Sequence, residues 1–128
     1  MTASDYGYQY VVLRYVPAVD REEFVNVGVV LYAQLADFLG VAYELDALRL
    51  RAFSPAVDLH ALAQSLAALE RVCDDDPPPG LPHHAKPGQR FGWLSAPRST
   101  VLQPGPVHGG VTADPAAELQ RLMKKLVT

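Results

Sequence analysis

YQYVVLRYVPAVDREEFVNVGVVLY, residues 8–32, is the stretch whose reading decides the fold. Residues 8–16 hold Tyr10, Val11, Val12, Leu13, Tyr15 and Val16, whose branched or aromatic side chains suit a pleated surface. Pro17 ends the run because proline has no N–H to give to a sheet ladder. Asp20 to Glu23 form a polar connector with room for one helical turn, and residues 24–32 then resume with Val25, Val27, Val29, Val30 and Leu31. Two such runs around a short connector predict an antiparallel strand pair. Gly28 inside the second run marks a bulge or a close approach of backbone. Neither run alternates strictly, which predicts strands covered on both faces.

Outward from this pair, residues 38–45 read as a third strand and residues 49–53 as a short fourth. Ser54-Pro55 offers a cap and a first-turn proline, so a helix is expected over residues 55–73. Leu59, Leu62, Leu66, Leu69 and Cys73 recur at three- and four-residue steps, an apolar stripe long enough to cover a sheet face. Asp74 to Asp76 and then Pro77 to Pro79 stop it, and residues 74–90 read as an exposed proline-rich loop. Order returns over residues 91–102, and residues 104–110 are turn-rich. Asp114-Pro115 begins a last helix over residues 115–127, with Leu119, Leu122, Met123 and Leu126 on its buried side and Lys124 and Lys125 near its negative end. The expected architecture is a single α+β domain over residues 1–128, a mainly antiparallel sheet of about four to five strands covered by two helices.

A chain of 128 residues with 49% hydrophobic and 20% charged residues can bury a core without metal or disulfide support. Cys73 is the only cysteine, so no intramolecular disulfide forms, in keeping with a reducing compartment. The first ten residues lack a basic region followed by an apolar one, and no apolar run approaches the roughly 18 residues of a membrane span. A cytoplasmic location is the expectation. The formal net charge of −3 is the wrong sign for a general nucleic-acid binder, which carries positive excess to neutralise phosphates.

RFGWLSAPRSTVLQPGPVHGG, residues 90–110, is the best candidate site. Arg98, Ser99, Thr100, Gln103 and His108 sit there among glycines and prolines that constrain the backbone. A guanidinium beside two hydroxyls suits a carboxylate or phosphate, and His108 can shuttle a proton or donate to the same anion. The competing reading is that these groups bond the loop's own backbone. Arg14 and Asn26 form a second set. Arg14 lies within an apolar strand, where an unpaired charge is costly, so it lines a cleft with Asn26 and Arg98 or pairs with Glu22 or Glu23. His83-His84 invites a metal reading, but adjacent side chains diverge and no further ligands complete a tetrahedral site. Cys73, on the apolar stripe, reads as a buried thiol rather than a nucleophile. No phosphate-cradling loop, nucleophile elbow or zinc-protease motif is present. No cofactor, metal site or catalytic residue is assigned.

VLRYVP (residues 12–17), EFVNVGVVL (23–31), FGWL (91–94), PRST (97–100) and QPGPVH (103–108) together resemble a bacterial family, the domain of unknown function three-zero-three-seven. The resemblance covers nearly the whole chain. It implies no activity and no catalytic residues. Members are often encoded beside a HipA-type kinase-like protein, which implies a small accessory or partner subunit. The leading expectation is therefore a protein-binding accessory module with a kinase-like partner, or a homodimer. The alternative is a small anion or phosphate binder, or an enzyme, using the Arg/Ser/Gln/His loop; an antitoxin-like regulator stands third.

Overall fold

A computed structural model describes residues 5–81, 86–98 and 100–128. Five strands form one antiparallel sheet: β1 (Tyr6–Tyr15), β2 (Val25–Ala33), β3 (Phe38–Tyr43), β4 (Leu102–Pro104) and β5 (His108–Thr112). The order is β3-β2-β1, with both β4 and β5 on the far side of β1. The strand pair expected from residues 8–32 is present, joined through a 3-10 turn at Val19–Arg21. Its register runs from Gln9 opposite Tyr32 to Leu13 opposite Gly28, then shifts so that Arg14 faces Asn26. Val27 is thus the extra residue of a bulge. The shift changes the phase of β2: Val25 and Val27 enter the same core as Val30, although their numbering parity matches Val29, Leu31 and Ala33 in the other core. Gly28 permits the close packing there, since a Cβ would lie 2.8 Å from the Ala42 carbonyl oxygen and 3.0 Å from Tyr43 Cβ.

Four helices cover the sheet: α1 (Ala47–Phe53), α2 (Leu59–Cys73), α3 (Pro87–Leu94) and α4 (Pro115–Leu126). On one face, Leu62, Leu66, Leu69 and Val72 of α2 pack with Phe91 and Leu94 of α3, Leu50 of α1 and Val11, Leu13 and Tyr15 of β1. On the other, Leu119, Leu122 and Met123 of α4 close over Val29, Leu31 and Ala33. The apolar stripe expected on α2 is the one that is buried, and β2 is covered on both faces.

Three boundaries differ from the sequence reading. Residues 49–53 are not a strand but the body of α1, because Asp46 accepts a hydrogen bond from Arg49 N at 3.2 Å and ALRLRAF is rich in helix formers. Only Leu50 of that segment is buried, while Leu48 is 83% exposed. The long helix starts at Leu59 with Asp58 as its cap, accepting from Ala61 N at 2.9 Å. Ser54 instead ends α1 and receives the Tyr15 hydroxyl at 3.2 Å. The proline-rich loop stops before residue 87, where Pro87 opens α3 and the Gln89 side chain accepts from Lys86 N at 2.9 Å.

α4 is pinned at both ends. Asp114 caps its start and Pro115 takes the first helical position, as expected. Asn26 Nδ2 donates to the Leu126 carbonyl at 3.1 Å and Arg49 Nη1 to the Val127 carbonyl at 3.2 Å, satisfying acceptors that a helix C-terminus leaves open. Nearer its start, Glu118 receives the Tyr8 hydroxyl at 3.1 Å and the Arg121 guanidinium.

Replacing Gly28 by valine should destabilise the fold by about 1–3 kcal/mol in urea unfolding, because backbone and a packed Cβ cannot withdraw. A loss below about 0.5 kcal/mol would show that the strands can spread. The bond from Arg121 and, next among the lowering contacts, the Tyr8 hydroxyl hold the Glu118 carboxyl below its usual range against the opposing effect of burial. A lowered folded-state pKa adds stability that is present above the unfolded value and is lost as pH falls through the folded one. Thermal unfolding from pH 5 down to 3 should therefore show a steeper loss for the native protein than for Glu118→Gln; parallel acid limbs would remove this role.

Candidate functional site

The described candidate residues are divided by the sheet. Tyr15 and Leu102, directly opposite each other on β1 and β4, both line a cleft of about 560 Å3 against α2. Their neighbours Arg14 and Gln103 are also paired, and strand alternation sends that pair to the opposite face. Arg98 and Thr100 belong to the cleft; Arg14, Asn26 and Gln103 form a single cross-strand row on the other side. His108 sits opposite Tyr10, on the same face as that row but four residues further along β1. Ser99, like His83 and His84, lies outside the described residues.

Local folding explains each position. Arg98 lies with its guanidinium carbon 4.2 Å from the centre of the Trp93 ring and donates Nη2 to the Trp93 carbonyl, folding the chain after α3 back on itself. Burial pushes this guanidinium below its ordinary pKa. The Thr100 hydroxyl donates to the Leu102 carbonyl at 2.6 Å, and Gln103 Nε2 donates to the Thr100 carbonyl at 2.7 Å. Thr100 and Gln103 thus hold the loop's own backbone, while Arg98 keeps N–H groups beyond its one bond to Trp93.

Arg14 does not pair with Glu22 or Glu23. The ion pair of the connector joins Arg21 to Glu23 at 2.6 Å, because both lie on the exposed turn while Arg14 points from the sheet. The Arg14 guanidinium stacks 4.0 Å from the centre of the Phe24 ring and closes against Gly105, where a Cβ would come within 2.9 Å of its Cζ. Gly105 N in turn donates to the Val12 carbonyl at 2.8 Å, so the loop between β4 and β5 follows the same edge of β1, and its small residue leaves room for the guanidinium. The row therefore locks the strands and, through Asn26, α4. The His108 ring is exposed and 5.2 Å from that of Tyr10.

Two features escaped the sequence reading. The inner wall of the cleft comes from Asp58, Leu62, Ser65 and Leu69, which recur at three- and four-residue steps along α2. That spacing was legible, but it reads only as one flank of a buried stripe. The second is Arg90, 7% exposed, whose guanidinium approaches the Cys73 carbonyl at 3.4 Å and Asp75 at 3.9 Å. It ties the end of α2 to α3, and its polar neighbours in the sequence disguise it as part of a loop.

Cys73 is buried, and desolvation, reinforced by Asp74, pushes its thiol up to about 12. At pH 8 the thiolate fraction is on the order of one in ten thousand. Ellman's reagent should label the folded protein only at the rate of unfolding and label the denatured protein at once; rapid labelling in buffer would show an accessible thiol.

No helix among the described residues is long and apolar enough to cross a membrane. No curated protein and no solved structure matches the chain. A family described as "Protein of unknown function (DUF3037)" matches residues 10–127, from the third tyrosine of β1 through the end of α4, and so takes in every element that builds both faces of the sheet. The chain belongs to that family.

Proposed function

We propose that this protein is a protein-binding accessory module that takes an extended segment of its partner along the outer edge of β5. The observation that carries the reading is the state of that edge. Among the described residues β5 pairs with β1 alone, which leaves its other row of N–H and C=O groups unsatisfied by the sheet. An open strand edge is a template for a further strand, and proteins that keep such an edge to themselves blunt it with charges, proline or a bulge. HGGVT carries no aspartate, glutamate, lysine, arginine or proline, and its register with β1 is regular. Gly109 and Gly110 let a second backbone lie close. Val107 and Val111, 47% and 56% exposed, offer apolar contacts at either end. On the face away from α4, Gly7, Gln9, Gly109 and Val111 are exposed, so an added strand meets no overlying helix there.

Strand addition of this kind draws its affinity from main-chain bonds and its selectivity from alternate side chains. A β-branched, uncharged segment is the complement. The partner put forward is a HipA-type kinase-like protein, which is what the family resemblance implies.

The test is co-expression of the two proteins, with size-exclusion chromatography and calorimetry of the native pair and of a Val107→Lys, Val111→Lys variant. A stoichiometric complex is expected, weakened about tenfold or more by the two lysines, while the melting temperature of the isolated variant stays near that of the native protein because both sites are exposed. Separate elution of the native proteins, or a complex indifferent to the lysines, would overturn the reading. A self-dimer sensitive to the lysines would replace the kinase-like partner with a second copy of this chain.

A further inference from the structure

We propose that the cleft between α2 and the strand β4 is a binding site for a small amphipathic carboxylic acid, with Arg98 holding the carboxylate and the apolar walls holding its tail. This inference concerns the opposite end of the sheet from the β5 edge and stands or falls independently of a protein partner.

The cleft exists because α2 and α3 lean toward β2 and β3 and leave the β1–β4 side of the same face open. Its volume of about 560 Å3 is in the range of small-molecule sites. Pro17, Leu62, Leu69, Val101 and Leu102 are the larger apolar residues of its wall. Leu62 and Leu69 belong to the core, so this wall is fixed in place, whereas Val101 is half exposed at the rim.

The polar groups decide the ligand's charge. Tyr15 donates its hydroxyl proton to Ser54 Oγ, Ser65 to the Ala61 carbonyl and Thr100 to the Leu102 carbonyl. Each hydroxyl that reaches the cleft thus has its hydrogen committed to the protein. Asp58 accepts from Ala61 N as the cap of α2. Arg98 is different. Its one hydrogen bond goes to the Trp93 carbonyl, and among the described residues no carboxylate lies within ion-pair distance of it. A guanidinium taken partly out of water and left without a counter-ion carries a desolvation cost that an incoming anion would offset. Its remaining N–H groups form the donor set that a planar carboxylate fits. Asp58 on the same lining adds negative charge, which favours a singly charged head over a phosphate dianion.

Trp93 is the only tryptophan in the chain, and it stacks on Arg98, so its fluorescence reports the site directly. The probe is decanoate, titrated below its micelle concentration, against decanol and decyl phosphate. A saturable change in Trp93 emission is expected with decanoate, about tenfold weaker or more with decanol and weaker with decyl phosphate. Arg98→Gln should lower decanoate affinity at least about tenfold and bring it to the level of decanol. Ala61→Phe, at an exposed position on the α2 wall, should fill the cleft and abolish binding while leaving Arg98 and its stacking in place. Circular dichroism of both variants guards against loss of fold, and either one alone decides. No saturable signal, equal affinity for decanoate and decanol, or undiminished decanoate binding to either folded variant would overturn the proposal. Decyl phosphate binding as tightly as decanoate would overturn its assignment to a monoanion.

Discussion

The alternation of side chains along β1 governs the rest of this protein, because β1 is hydrogen-bonded on both edges and packed on both faces. Val11, Leu13 and Tyr15 enter the core under α2 and α3, while Tyr8 and Tyr10 pack on the α4 side and Arg14 shares their face. A slip of one residue against β2 would exchange the two sets and put a guanidinium into an apolar core. The bulge at Val27 tunes the same constraint on the partner strand. It turns Val25 and Val27 toward α2 and leaves Asn26 facing α4, where its amide bonds the Leu126 carbonyl. Gly28 then accommodates the tightened approach of β3.

Arginine is used in three distinct ways around this frame. Arg49 and Arg90 reach carbonyls near the C-terminal ends of α4 and α2, where the positive charge complements both the open acceptors and the helix dipole. Arg14 packs against the loop before β5, stacked on Phe24 and accommodated by the absence of a side chain at Gly105. Arg98 also stacks on an aromatic ring, yet it borders an open cleft rather than a packed loop. The difference lies in the surroundings: packing encloses Arg14, whereas α2 leaves space beside Arg98. This chain thus carries two surfaces of different chemistry, a bare strand edge and an apolar cleft with a cationic rim.

Residues 8–32 were enough to read a buried antiparallel pair, because β-branched density, a proline stop and a mid-strand glycine are all local signals. The same holds for α4, whose cap, first-turn proline and apolar spacing agree with one another. Residues 49–53 misled because a five-residue apolar and basic run fits either a strand or a helix, and only Asp46, three residues upstream, distinguishes them. Ser54 and Asp58 are equally good caps by type. The choice between them depended on α1 needing an end at Ser54, a helix not read from the sequence.

For the candidate site the division is sharper. The sequence by itself determined that Arg98, Thr100, Gln103 and His108 fall in one segment dense in glycine and proline, and that Arg14 interrupts an apolar strand. The tertiary structure decided that Gln103 and His108 lie on one face of the sheet and Arg98 and Thr100 on the other, so that Arg98 shares a cleft with Leu62 and Leu69 of α2 instead of with Arg14. The physical reason is that the faces of a strand alternate residue by residue, while the partners of a face are set by register and by which helix lies over it. Those are long-range choices, made by packing between segments tens of residues apart, and no local pattern carries them.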